Sequence, residues 1–593
     1  MTRRIRQASQ ATPASEAPLP SPRGPAHPVW RMVVLSVMAL TVGAVASLLA
    51  IAFVETVAWL NAVLLISPRA RVQVEGAPWI LTLATLAVPT LGGLAVGFAH
   101  RYLAPAQRPL GPTDVIKAVQ FRRRLPDVRS GLVSTATAAL SLGAGASVGQ
   151  YGPMVYLGAL VGDIAQRVQT RIPNLPAIAV SCGVAAAIAT AFNAPIAGLV
   201  FAHEIVLRHY ATQAFAPVTV AAATGYVIAN VIFERSPLFL LEFGGVAHGY
   251  EFALFAVLGL CVALVSVGFM RLLLRTSRLF AESGLRSEIR PALAGLAVGA
   301  TALVLPDVLG IGTETLRFTT IGDAFGLTEL FVLVIAKITL TALCVGAGFA
   351  GGVFSPALLI GSLFGALFWS LVAGQAGVPT SGVAVYAVGG MMAFASAVIG
   401  APLTCILIVF ELTRNYDITI AAMVAVVFSN LVAHRVFGRS LYDVQLAQSG
   451  LDFSLGRDRA RLAQRMVVEL VARDAVTVQA DETIDEVRQQ LAGSGWHEAF
   501  VIDAQGRFVG MFSPISVVDY ATVGEASSKP TLLFHEKTSI AEAMERLRSF
   551  HGDAVPVVER QSGRYLGAVA ESEVVAAWLD EAAGQRSEEN ASL

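Results

Sequence analysis

Residues 143–162 read GAGASVGQYGPMVYLGALVG, and residues 346–365 read GAGFAGGVFSPALLIGSLFG. At an offset of 203 the pairs Gly143/Gly346, Gly145/Gly348, Gly149/Gly352, Pro153/Pro356, Gly158/Gly361 and Gly162/Gly365 coincide. A second block follows at an offset of 207. FNAPIAGLVFAHE (192–204) lies over IGAPLTCILIVFE (399–411), matching Ala194/Ala401, Pro195/Pro402 and Glu204/Glu411. Glycine-rich helices match by chance, but two blocks in one order at nearly one offset point to a membrane domain of two halves. In the first block of each half, glycine-rich backbone runs into a helix at Pro153 or Pro356. Proline suits the first helical turn because its missing N–H had no partner there. A helix N-terminus carries about half a positive charge. Two such termini meeting in mid-membrane make an anion site that needs no Lys or Arg. Partial dipoles also hold an anion loosely enough to release it. Simple packing kinks are the competing reading, and a matched pair of breaks favours the site.

The rest of the 593 residues fits this frame. Hydrophobic residues make up 55% and charged residues 14%, with a mean hydropathy of +0.65. A soluble domain carries about 25% charged residues. An ordinary soluble enzyme, a disordered chain and a strongly basic nucleic-acid binder are thereby excluded. Apolar stretches run from about residue 30 to 436, several of them shorter than the roughly 20 residues a helical span needs and broken by Gly and Pro. Such breaks fit half-helices buried within protein. The formal net charge of zero hides two regions. Residues 451–593 hold 14 basic and 23 acidic residues, a net of −9, which leaves +9 for residues 1–450. The four cysteines, Cys182, Cys261, Cys344 and Cys405, lie in apolar runs without a CxxC spacing and read as packing residues.

The predicted organisation follows. Residues 1–29 form an arginine- and proline-containing disordered tail held in the cytoplasm. Residues 30–450 form the polytopic α-helical membrane domain, and 451–465 a charged linker. Residues 466–525 and 526–582 are two α/β units, each reading strand, helix, strand, turn, strand, helix, with turns at Ala504-Gln505-Gly506 and Gln561-Ser562-Gly563. Residues 583–593 read as a second disordered tail.

The membrane motifs closely resemble the CLC family of chloride channels and chloride/proton exchangers. Gly352-Val353-Phe354-Ser355-Pro356 matches the family's GxFxP motif, within a run from Lys337 to Pro356 that follows the family pattern. APLTCILIVFELT (401–413) is similar to a family helix of the second half, and Tyr442 falls where the family has a pore-lining tyrosine. The two C-terminal units resemble CBS domains. The resemblance spans roughly residues 30–580. It implies a CLC fold of two inverted-repeat halves with broken helices, a cytoplasmic CBS pair, and a homodimer with a pore in each subunit. It places the chain in a membrane, the inner or plasma membrane of a bacterium.

The departures from the family pattern carry the functional reading. The first-half motif, GREGP or GKEGP in the family, is Gly149-Gln150-Tyr151-Gly152-Pro153 here, so the gating glutamate is Tyr151. A tyrosine with a pKa of about 10 does not shuttle protons at ordinary pH. The inner proton glutamate of the exchangers aligns with Ile205; Glu204, one position earlier, reads as structural like its repeat mate Glu411. His203 is a candidate substitute donor, although a lone histidine on an apolar helix is usually packed or hydrogen-bonded. The family's GSGIP motif, which gives a serine hydroxyl to the central anion, aligns with Pro109-Leu110-Gly111-Pro112-Thr113. Leu110 replaces the serine, and Thr113 reads as part of a helix start before Asp114. The anion-binding set expected from the resemblance is Val353, Phe354, Tyr442, Gly152 and Tyr151, with Leu110 at the serine position.

The expected function is passive, proton-uncoupled passage of chloride or a similar small anion, with no enzymatic activity and neither a catalytic group nor a metal site. The alternatives are a coupled antiporter with a non-standard proton route, and a non-conducting, nucleotide-sensing CBS regulator. CBS pairs in the family often bind adenine nucleotides. The usual Gly, Thr or Ser, then Asp pattern is incomplete here: Ser513 is followed by Ser516, and Ala570 by Glu573. Nucleotide binding and a purely structural role both stay open. The partners expected are a small anion, membrane lipid and a second copy of the chain, without nucleic acid.

Overall fold

Proline opens many of the membrane helices, and uncharged runs of Leu, Ala, Val and Gly carry them on. A computed structural model describes residues 28–72, 78–105, 107–168, 174–235, 244–322, 324–454, 456–472, 474–514 and 520–590. The helices used below are α1 (Pro28–Val63), α2 (Pro78–Tyr102), α3 (Pro112–Gln120), α4 (Val128–Gly143), α5 (Tyr151–Ala165), α6 (Leu175–Phe192), α7 (Pro195–Phe201), α8 (Thr212–Val227), α9 (Glu251–Glu282), α10 (Arg290–Ala302), α11 (Leu327–Ala347), α12 (Phe354–Trp369), α13 (Val383–Ile399), α14 (Pro402–Thr413), α15 (Tyr416–Phe437) and α16 (Leu441–Gln448). Among the described residues, eight helices are long and apolar enough to cross a membrane. The apolar run 176–207 is not one element. It breaks at Asn193, which takes a left-handed conformation (φ 56°) and lets Ala194-Pro195 start α7.

The two halves show the same plan. In each, a helix from the first repeat block packs on an almost wholly buried helix: α5 on α6, and α12 on α13. Repeat mates make the same contact. A Cβ at Gly158 would lie 2.3 Å from the Gly183 carbonyl oxygen, and one at Gly361 would lie 2.5 Å from that of Gly390. Small residues thus set the interhelical distance, since lipid gives apolar side chains no reason to prefer one another. The four cysteines are free; Cys182, Cys344 and Cys405 are buried in this packing.

After the membrane domain the expected linker contains a helix, α17 (Arg457–Leu462). The first α/β unit has β1 (Thr477–Gln479), α18 (Ile484–Ala492), β2 (Ala499–Ile502) and β3 (Phe508–Phe512). The second has β4 (Phe534–His535), α19 (Ile540–Leu547), β5 (Ala554–Val558), β6 (Tyr565–Ala570) and α20 (Glu571–Asn590). In both, the first two strands pair parallel and the last two antiparallel. The turns fall at Gly506 (φ 75°) and Gly563 (φ 71°), and they meet: Phe508 N–H donates to Gly563 and Tyr565 N–H to Gly506. Helix α20 runs on to Asn590 where a tail from residue 583 was expected. Its Ala, Glu, Gln and Arg residues are good helix formers, so low hydrophobicity there does not mean an irregular chain. Residues 1–27 of the expected N-terminal tail, and residues 591–593, lie outside the described residues.

Candidate anion site

The two repeat blocks meet back to back. Gly149 and Gly352, repeat mates, exchange both backbone hydrogen bonds at 2.7 Å as an isolated antiparallel bridge. The meeting needs glycine on steric grounds: a Cβ at Gly149 would lie 2.8 Å from the Gly352 carbonyl oxygen, and one at Gly352 would lie 3.0 Å from the Gly152 nitrogen. Immediately beyond the bridge, α5 starts at Tyr151 and α12 at Phe354, with Pro153 and Pro356 in their first turns. Neither helix has a side-chain cap at its start. The backbone N–H groups of Tyr151, Gly152, Val353 and Phe354 have no acceptor among the described residues. Two uncapped helix starts, joined by a hydrogen-bonded pair, suit an anion.

Aromatic rings close one side of this junction. Tyr151 and Phe354 occupy the same repeat position, with ring centroids 5.5 Å apart. Phe192, at the end of α6, stacks on Tyr151 at 4.2 Å and tilts against Phe354 at 5.6 Å. Tyr151 is only 5% exposed. Gln150 N–H donates to the Ser355 hydroxyl at 3.1 Å, which ties the two starts together once more.

The third helix start is filled from within. Gly111 N–H donates to Asp114 Oδ2 at 3.0 Å, and Arg108 pairs with the same carboxylate. Leu110, expected at the anion, contributes no donor: its side chain is apolar and its N–H donates to the Ser134 hydroxyl at 2.8 Å. A neighbouring serine has satisfied the backbone group that the missing hydroxyl would have accompanied. Thr113 lies within the first turn of α3. Tyr442 is buried at the start of α16, which packs on α3 and α13, and its hydroxyl has no hydrogen-bond partner among the described residues.

The second repeat blocks lock the halves together. Glu204 accepts from Leu403 N–H (3.0 Å), Thr404 N–H (2.9 Å) and the Thr404 hydroxyl (2.7 Å) at the start of α14. Glu411 accepts from Ile196 N–H (2.9 Å) and Ala197 N–H (2.7 Å) at the start of α7. Each half thus caps a helix of the other. Glu204→Ala and Glu411→Ala are each expected to destabilise the fold by about 1–3 kcal/mol, because membrane surroundings offer the stranded N–H groups no water. Thermal unfolding in detergent checks this, and two unchanged melting curves would discard the capping role.

A sequence profile described as "Voltage gated chloride channel" matches residues 92–434, and a CBS domain profile matches 467–522 and 523–580. The chain belongs to the CLC family. Its relatives include a ClcB-like chloride channel protein of Ralstonia nicotianae, 34% identical over 63% of this chain and 87% of that one. An H(+)/Cl(-) exchange transporter, ClcA of Cronobacter sakazakii, is 28% identical over 70% and 90%. The crystal structure of a slow cyanobacterial Cl-/H+ antiporter superposes with a TM-score of 0.62 at 25% identity, covering 70% of this chain and 97% of that one. A eukaryotic CLC transporter shares the fold over 92% of this chain and 98% of its own, with a TM-score of 0.59 at 20% identity.

Ile205, where the resemblance expects the inner proton carboxylate, is buried within a widened π-helical turn (Ala202–Leu207) that continues α7. His203, in the same turn, sets Nδ1 2.9 Å from the His209 carbonyl oxygen and stacks on Tyr210. Its Nε2 is buried without a hydrogen-bond partner among the described residues. In the CBS pair, Ser513 follows β3 and is half-buried, while Glu573 is exposed in the first turn of α20. Neither side chain hydrogen-bonds another described residue, and Ser516 lies outside the described residues.

One connection had no signal in the sequence. Gln120, the last residue of α3, donates from Nε2 to the Val206 (2.7 Å) and Leu207 (2.9 Å) carbonyls. Arg457 Nε donates to Gln120 Oε1 at 2.8 Å and Arg461 Nε to Gln120 O at 2.7 Å. Arg461 also pairs with Glu581 of α20 at 2.9 Å. Helix α3 therefore runs from Pro112, beside Gly152, to the linker and the CBS pair.

Proposed function

We propose that each copy of this chain conducts chloride, or a similar small anion, passively and without proton counter-transport, within a homodimer whose CBS pair faces the cytoplasm. The observation that carries this reading is Tyr151. At the first residue of α5, where the resemblance expects the gating carboxylate, a neutral ring stacks on Phe192 and tilts against Phe354. Ile205 supplies no second carboxylate. Backbone dipoles of α5 and α12 and the Tyr442 hydroxyl are the groups left to hold the anion. Arg122, Arg123, Arg124 and Arg129, beside the CBS-side end of α3, agree with a cytoplasmic placement of that side. An adenine nucleotide at the CBS pair belongs to the same proposal, with Ser513 and Glu573 as polar candidates.

A coupled exchanger is the second reading, favoured by the buried Nε2 of His203, which has no hydrogen-bond partner among the described residues. Purified protein in chloride-loaded liposomes, followed with chloride and pH electrodes together, separates the two. The expected result is chloride efflux with no accompanying proton uptake. Proton uptake in fixed ratio to chloride would overturn the proposal, and blockade of that uptake in His203→Ala would identify the route. Absence of flux with every anion in a panel would leave a regulator.

A further inference from the structure

FERS (233–236) lies over FGRS (437–440) at an offset of 204, outside the repeat blocks that build the anion site. The two runs follow matching helices. Helix α8, continued by a π-helical turn (Ile228–Ile232), stops before Phe233, and α15 stops at Phe437. Glu234 (φ 45°) and Gly438 (φ 92°) then take the same left-handed turn, and each turn delivers an arginine, Arg235 or Arg439. The two arginines sit on opposite faces, as inverted halves require. Helix α15 ends on the CBS side, where Arg439 lines a cavity with Phe453 and Ser454 of the linker. Helix α8 starts on that side, where Ala211 and Gln213 share a cavity with Arg457 of α17. Its apolar span, Thr212–Ile232, is 21 residues long. At 1.5 Å per residue it carries the chain about 30 Å, which puts Arg235 on the far face.

From that face Arg235 approaches the rings at Tyr151. Its carbonyl oxygen accepts from Asn193 Nδ2 at 3.5 Å, and Asn193 follows Phe192, which stacks on Tyr151 at 4.2 Å. The charge of Arg235 reaches the Tyr151 hydroxyl, and the Gln150 side chain lies beside the same hydroxyl. The motif itself brings no cation there, because Gln150 stands where the family pattern has Arg or Lys. The two repeat-mate arginines are also held differently. Asp452 grips Arg439 with two bonds, of 2.6 Å and 3.2 Å. Arg235 has one ion pair among the described residues, with Glu55 of α1 at 3.7 Å, which is beyond hydrogen-bond distance, and Glu55 is exposed. So loose and exposed a pair is weak and yields to a passing anion, for which a guanidinium carries several donors. We infer that Arg235 is the cation of the mouth opposite the CBS pair: it draws chloride or a similar small anion towards Tyr151, and Glu55 tempers that pull. The inference rests on anion passage, whether coupled or not.

The test is exchange of radioactive chloride across liposomes holding the full chain, at one low chloride concentration. Sodium gluconate sets the ionic strength to about 10 mM or about 1 M, where charges are screened over roughly 30 Å and 3 Å. Arg235→Gln is expected to slow exchange by about fivefold at the lower ionic strength and by less than about twofold at the higher. Arg235→Lys should recover most of the loss. Glu55→Gln should speed exchange by about twofold at the lower ionic strength, and because Glu55 is exposed this variant changes the charge with little change in packing. A pair that only braces the fold would make both Gln variants slower, at either ionic strength. Slowing in both, a loss by Arg235→Gln that salt does not remove, or exchange unchanged in Glu55→Gln would overturn the inference. A wild-type protein that exchanges no anion would overturn anion passage itself, and the inference with it.

Discussion

Tyr151→Ala is expected to speed chloride efflux from liposomes by about tenfold while protons stay put. The Tyr151 ring contacts Phe192 at 4.2 Å and Phe354 at 5.5 Å between centroids. Each aromatic contact is worth about 0.5–1.5 kcal/mol beyond its buried area. Swinging the ring aside therefore costs roughly 1–3 kcal/mol, and a barrier lowered by about 1.4 kcal/mol is a tenfold rate. Tyr151→Phe keeps the ring and should keep the rate, which assigns the effect to the ring and not to the hydroxyl. Tyr151→Ala also opens a cavity costing about 3–5 kcal/mol, so Tyr151→Leu serves as the better-packed companion. An unchanged rate in both Ala and Leu variants would remove the ring from the path. Tyr151→Glu alone is expected to leave chloride uncoupled, because Ile205 remains at the inner position.

Gly149→Ala is expected to abolish at least nine-tenths of the flux. Its Cβ would sit 2.8 Å from the Gly352 carbonyl oxygen and 2.9 Å from Pro356 Cδ, against backbone and a ring that cannot rotate away. Relief requires the two halves to separate, which strains or breaks the paired 2.7 Å bonds that set α5 and α12 at the junction. Overpacking of about 1–3 kcal/mol, plus about 1 kcal/mol for each bond lost, makes roughly 2–5 kcal/mol. Gly111→Ala is the control. It lies beside the same junction with nothing within 4 Å of its added Cβ and an extended backbone (φ −159°). Flux and melting temperature should both stay near those of the wild type there. A Gly149→Ala protein that conducts normally would refute the steric account of the bridge.

The halves and their helix starts were legible because their signals are local. Gly and Pro at matched spacing mark a broken backbone whatever surrounds it, and alternating strand and helix periods marked the two CBS units. The wall of rings around Tyr151 was not legible: Phe192 belongs to the second repeat block, and only folding lays it on the first. Leu110 was read by side chain alone, yet its backbone N–H decides its role, and the Ser134 that takes that N–H is 24 residues away. Glu204 and Glu411 showed as a matched pair but not as caps, since each partner sits about 200 residues distant. Gln120 gave no signal, because an amide at a helix end is ordinary until the carbonyls and guanidiniums it joins are in place.

The crossed glutamates also set a timetable for biosynthesis. Glu204 leaves the ribosome about 200 residues before Leu403 and Thr404, the groups it binds. At about 5–20 residues per second, that is an interval of roughly 10–40 s. Through it the first half waits in the bilayer with an unpaired carboxylate and with the start of α7 uncapped, until Glu411 arrives. The same few residues of the second half answer both needs. A chain halted near residue 395 should therefore be the species that quality-control proteases find most readily, and one released past residue 415 should be shielded.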